Sequence, residues 1–214
     1  MKNVRALVAL LLTLGVSAAL GACGGAVAGD SGAGGSVAPS PRSSASTFPV
    51  TQYGSHEYGF SIDYPTGLTK LEMPPDTKDP AAPEMQVFFA DPAGTKVAGT
   101  SVDMLEVAVY RMSAAPKQAD FTTHKADFEA MLATLVGNPP GFKVVEPLAW
   151  STVDGSPAVS ETYAYTVSGH DVAASVQLAF RGDRAYLVRA QAAKETWATT
   201  GRQLVSSMAT FAFL

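Results

Sequence analysis

Residues 142–191 constrain this chain most. Three turn signals divide the stretch: Asp154-Gly155, Ser168-Gly169-His170-Asp171 and Gly182-Asp183. They predict four strands, at 142–151, 158–167, 172–180 and 185–191. In the third, Val172, Ala174, Val176, Leu178 and Phe180 alternate without a break, the period of a strand with one apolar face. Val159, Tyr163 and Tyr165 share a face of the second. Gly-Asp is a two-residue hairpin loop. Strands joined by loops this short can pair only antiparallel, so the segment is a meander.

The same period appears earlier. Tyr58, Phe60, Ile62 and Tyr64 alternate with Gly59, Ser61 and Asp63, and Pro65 ends the strand. A short strand is expected over 68–73, then a Pro-rich loop over 74–83, and further strands over 85–90 and 101–112. In the last of these, Val102, Met104, Ala108 and Tyr110 fall on one side and Leu105, Val107 and Val109 on the other. A strand apolar on both faces belongs in the middle of a covered sheet.

Two helices interrupt the strands. Phe128, Met131, Leu132, Leu135 and Val136 recur at i, i+3, i+4, i+7 and i+8, one apolar stripe. Asp120, Thr122 or Thr123 offers a cap, and Gly137 with Pro139-Pro140 ends the helix. The second helix is expected over 194–209, with Trp197, Gly201, Leu204, Val205 and Met208 on its stripe and Phe211 and Phe213 tucked in behind. Strand runs with two separated helices make an α+β fold: a central antiparallel sheet flanked by two main helices.

The N-terminus reads as an address. Lys2 and Arg5 precede 15 uncharged residues, 6–20, too short a run for a membrane span and suited to a signal-peptide core. Leu20-Gly21-Ala22-Cys23 then resembles the bacterial lipobox, in which small residues admit a peptidase and the cysteine sulfur takes a diacylglycerol. Cys23 is the only cysteine, which leaves no disulfide framework and no zinc site built on several thiolates. The expected organisation is a lipoprotein signal peptide over 1–22, a lipidated Cys23 with a Gly/Ala/Ser/Pro tether over 23–47, and one globular domain over 48–214. The tether carries too little apolar surface to offset chain entropy. Its flexible residues span about 25–30 Å.

Loss of Lys2 and Arg5 with the leader leaves 13 basic against 19 acidic residues. An acidic chain does not suit nucleic acid, and it gains nothing from anionic headgroups, so the lipid on Cys23 must do the anchoring. The expected location is the extracytoplasmic face of a cell membrane.

The Tyr-Gly-Phe-Ser-Ile-Asp-Tyr-Pro strand at 58–65, the Gly-Asp-Arg-Ala-Tyr hairpin at 182–186 and the closing amphipathic helix with Phe211 resemble the PsbP/Mog1-like superfamily, in particular its actinobacterial lipoprotein branch of the LpqN type. The resemblance covers most of 53–213. It implies an α/β/α sandwich and non-catalytic work as accessory subunits, assembly factors or protein-binding modules. It supplies no catalytic residues.

Candidate chemistry is sparse. His56, His124 and His170 fall at turns or element starts, without the i, i+4 spacing of a helical metal site. Ser168, His170 and Asp171 crowd into one turn, where a base cannot reach nucleophile and carboxylate from different sides. Asp76, Asp79, Glu84 and Asp91 lack the register of a calcium loop. Arg181-Gly182-Asp183 is what a hairpin requires, and Trp150, Trp197, Tyr163, Tyr165 and Tyr186 read as core. No catalytic residue, metal site or cofactor is expected. The function expected is a non-catalytic module that binds an envelope protein. The alternative is a carrier of a small ligand (lipid, glycan or metal) in a groove between sheet and helix. An exposed apolar patch would favour the first and an enclosed apolar pocket the second.

Overall fold

The computed structural model describes residues 48–214 except Thr77, Pro80, Ala98, Ala114 and Asn138. Cys23, the leader and the tether lie outside the described residues.

The meander forms as expected: β8 (Lys143–Val153), β9 (Ser156–Val167), β10 (His170–Arg181) and β11 (Arg184–Ala193) pair in sequence, all antiparallel. Asp154 and Gly155 both take positive φ, 48° and 74°, which is the geometry of the two-residue turn between β8 and β9. Beyond β11 the sheet continues through β7 (Met104–Arg111) and β4 (Met85–Ala90) to β3 (Thr69–Met73). The seven-stranded order is β3-β4-β7-β11-β10-β9-β8, so β3 and β8 are its edges. As its double-sided pattern requires, β7 lies inside the sheet with Leu105, Val107, Ala108 and Val109 all buried. It starts at Met104 rather than 101, because Thr100–Ser101 (β6) instead pairs with Lys96–Val97 (β5) in a small hairpin.

Helices lie on both faces. On one, α2 (Lys125–Leu135) lays Phe128, Met131 and Leu132 over Leu148, Val159, Val176, Leu178 and Phe180. The expected caps are displaced: Thr122 and Thr123 belong to a separate helix, α1 (Gln118–Thr123), whose first turn Asp120 closes by accepting from the Lys117 N–H at 2.8 Å. His124 occupies the junction, where it both ends α1 and precedes α2.

The other face carries α3 (Arg202–Met208), entered through one π-helical turn, Trp197–Gly201. A Cβ on Gly201 would stand 2.5 Å from Cε3 of Trp197, so the indole packs where only glycine leaves room. Beside α3 lies a second sheet that the sequence reading had only in part. Here β1 (Val50–Ser55) pairs with β2 (Phe60–Pro65), and β2 with β12 (Ala212–Phe213). Phe60 and Ile62 go into the core with Val87, Phe89, Leu105, Leu204 and Phe211. The Phe60 and Phe211 rings stack at 5.4 Å between centroids.

A buried carboxylate ties the far corner. Asp103 is fully buried and accepts from the Ala193 N–H at 2.7 Å, the Thr95 N–H at 3.1 Å and the Thr196 hydroxyl at 3.2 Å. It joins the β5–β6 hairpin to the chain leaving β11.

Candidate functional site

Two polar regions stand out, one inside the fold and one at its surface. The inner one is a row across the α2 face of the main sheet. The register places Glu161 (β9), Val176 (β10), Arg189 (β11), Glu106 (β7) and Phe88 (β4) side by side. Arg189 Nη2 lies 2.5 Å from Glu106 Oε2, and Gln86 Nε2 donates to Glu106 Oε1 at 2.6 Å. Burial works against the Arg189 charge, but the Glu106 carboxylate and the Tyr163 hydroxyl outweigh it and hold its pKa above the ordinary arginine value. Burial pushes Tyr163 up to about 12, with Arg189 opposing. Tyr165 donates to Gln191 Oε1 at 3.1 Å, and Gln191 donates to the Val102 carbonyl at 3.0 Å.

Among the described residues Arg189 Nε and the Tyr163 hydroxyl are buried without a hydrogen-bond partner, and Glu161 is incompletely bonded as well. It is buried, and its Oε1 has no hydrogen-bond partner among the described residues. Burial raises its pKa, Glu129 of α2 adds to the rise, and Lys125 opposes it. Around Arg189 the row is held by the ion pair to Glu106 and by the Gln86 bond to the same carboxylate. It bridges β7 and β11 in the middle of the sheet.

The outer region is an open groove of about 430 Å³ between the end of β1 and the adjoining ends of β3 and β4. Tyr53, Tyr58, Pro74 and Pro75 give it flat apolar surface, and Glu57, Glu72 and Glu84 give it acceptors. The Tyr53 hydroxyl donates to Glu72 Oε1 at 3.1 Å. Burial, then the Glu72 charge, pushes its pKa up to about 12, so the phenol stays a donor at neutral pH. Hydrogen bonds from Lys70 and then Tyr53 lower the Glu72 pKa. Tyr58 donates to the Glu84 carbonyl at 3.0 Å, and Arg184 lies over its ring at 5.1 Å. The Glu84 carboxylate is held by Arg111 at 2.7 Å and Arg184 at 3.4 Å. Such a lining can grip a chain or ligand by ring contacts and hydrogen bonds. Its carboxylates are tied to cations or to Tyr53, apart from the Glu57 side chain, which only lines the wall.

The residues singled out from sequence are dispersed. Asp171 accepts from Thr166 at 3.3 Å and pairs with Lys194 at 3.4 Å, while His170 begins β10. Asp76, Asp79 and Asp91 each cap a tight turn through a backbone N–H two residues on. Only Glu84 of that group reaches the groove. Trp150 packs on Phe121 at 5.5 Å, and Arg181 covers the Phe213 ring at 4.9 Å. Among the described residues no three His, Cys, Asp or Glu side chains converge as a metal site, and no helix is long and apolar enough to cross a membrane. The groove escaped sequence reading because its walls come from β1, β3, β4 and two loops. The inner row left one signal: Glu106 and Arg189, opposite charges, each inside an apolar strand.

No family model matches the sequence, and no curated protein matches it. Solved structures do. The solution structure of cyanobacterial PsbP (CyanoP) from Synechocystis matches at a TM-score of 0.54 and 14% identity, covering 86% of this chain and 98% of that one. LpqN of Mycobacterium tuberculosis, described as involved in cell envelope biogenesis, matches at a TM-score of 0.46 and 12% identity, covering 77% of this chain and 90% of that one. The fold is PsbP-like: an antiparallel sheet between helices, as the sequence resemblance implied.

Proposed function

We propose that this protein is an accessory module of a cell envelope, anchored by lipid on Cys23, that binds an envelope protein through the groove between β1 and the β3–β4 ends. The observation that carries the reading is the groove's make-up: open, flanked by tyrosine and proline, with most of its charges already paired. Surfaces of this kind grip an extended segment by ring contact and hydrogen bonds. The chain enters the fold at Val50, the far end of β1 from Ser55 at the groove.

A small-ligand carrier is the second reading, since 430 Å³ lies within the range of ligand pockets. Carriers of apolar ligands bury them in closed apolar cavities, whereas this groove is open with a carboxylate rim. The protein-binding reading is the stronger.

A photo-cross-linking residue at Ser55, in the anchored protein in its own envelope, tests the choice. One recurring protein adduct at Ser55, absent when the probe sits at Ser168 at the other end of the strands, supports the module. Equal adducts at both positions, or none at Ser55, rejects it.

A further inference from the structure

All five residues of β3 are exposed, although β3 is part of the main sheet. One side of it is bonded to β4, with Leu71 opposite Phe88. On its other side β3 pairs with no strand among the described residues, and it presents there a template for another strand. Leu71 and Met73 are 55% and 44% exposed on the α2 side of the sheet, where α2 does not reach. Lys70 and Glu72 point to the opposite side and pair with each other at 3.0 Å.

Edge strands are commonly protected by charged side chains, lysine above all, which repel a like charge placed opposite them. Here the lysine has its own counter-charge two residues away, and the order Thr69-Lys70-Leu71-Glu72-Met73 is complementary to itself when reversed. We infer that β3 pairs antiparallel with β3 of a second copy, about a two-fold axis through Leu71.

The register follows from the charges. With Leu71 opposite the other copy's Leu71, each Lys70 faces a Glu72, and each Thr69 faces a Met73. A shift of two residues puts Lys70 opposite Lys70 in one direction, or Glu72 opposite Glu72 in the other. Like charges directly opposite destabilise a sheet. A shift of one residue exchanges the two faces of the strand. One register therefore survives, and it is isologous, as a closed dimer requires. Pro74 and Pro75 limit the pairing to these five residues, because proline lacks the N–H a ladder needs. The main sheet then runs through both copies, and the two grooves lie on either side of the axis.

The test uses the full chain carrying Cys23→Ala, which removes the only thiol, so it does not depend on the anchor or on the groove's partner. Directly opposed residues bring their Cα atoms within about 4.5–5.5 Å, inside disulfide range. Leu71→Cys alone should oxidise to a covalent dimer. Thr69→Cys and Met73→Cys should each stay monomeric alone and cross-link when mixed. Lys70→Glu or Glu72→Lys, added to Leu71→Cys, should lower the dimer yield roughly tenfold, since each places two like-charged pairs across the axis. Mixing those two charge variants should restore it, because each then supplies what the other lacks, and the recovery also shows that both fold. Cross-linking that is absent at Leu71, equal at all three positions, or indifferent to the charge changes overturns the proposal. So does a Leu71→Cys thiol that joins only foreign proteins.

Discussion

Arg189 on β11 and Glu106 on β7 face each other in the middle of the main sheet, Nη2 2.5 Å from Oε2, with the carboxylate side chain 3% exposed. Removing two ions from water is costly, and only their mutual attraction and the bond from Gln86 offset it. Arg189→Met should therefore destabilise the fold by about 3–5 kcal/mol, because it strands a buried carboxylate. Adding Glu106→Leu should recover much of that loss. Urea denaturation of the two variants and the double variant measures the coupling, and additive losses would show that the pair is not a unit.

Burial of Glu161 should give the protein a pH dependence whose sign follows from its raised pKa. Its folded pKa lies above its ordinary value of 4.5, with burial as the main cause. The folded state thus holds the proton more tightly than the unfolded chain. The stability from that proton is complete below pH 4.5 and is lost as pH rises through the folded pKa. Glu161→Gln keeps the shape without the charge. It should raise the denaturation midpoint at neutral pH and flatten the slope above pH 4.5, as denaturant melts across a pH series would record.

Asp103 satisfies two backbone amides and a hydroxyl at once. Asp103→Ala leaves the buried Ala193 N–H without its acceptor and should cost about 2–4 kcal/mol. Amide exchange should show the loss first at Thr95 and Ala193. Uniform exchange across the sheet would argue against a local clasp.

Gly201→Ala drives a methyl against the Trp197 indole. An overpacked contact of this kind costs about 1–3 kcal/mol. Trp197→Leu in the same chain should relieve part of it, which thermal melts of the single and double variants compare.

The proposed lipid anchor has its own check. Cys23→Ala should move the protein from the membrane fraction to the soluble fraction while its circular dichroism is unchanged. A variant that still sediments with membranes would contradict lipidation at Cys23.

Period and turn chemistry made most of the fold legible. The alternation in β10 and β2, the double-sided β7 and the glycine turns are written in neighbouring residues, where strand geometry alone decides the pattern. The first strand, β1, was not, because its residues are largely exposed and carry no alternation. Nor was the helix break at His124, since the apolar stripe begins only at Phe128 and the short helix Gln118–Thr123 before it buries no residue that would set a period.

What the sequence determined by itself is whatever depends on short spacing: the order of the elements and the turns between them. Only the tertiary structure decided which strands lie on the edge and what meets across the sheet. Glu106 and Arg189 stand far apart in the chain, and Tyr53, Glu72 and Glu84 have no common spacing. They meet because antiparallel register, a long-range property, sets them at one level of the sheet or one rim of a groove.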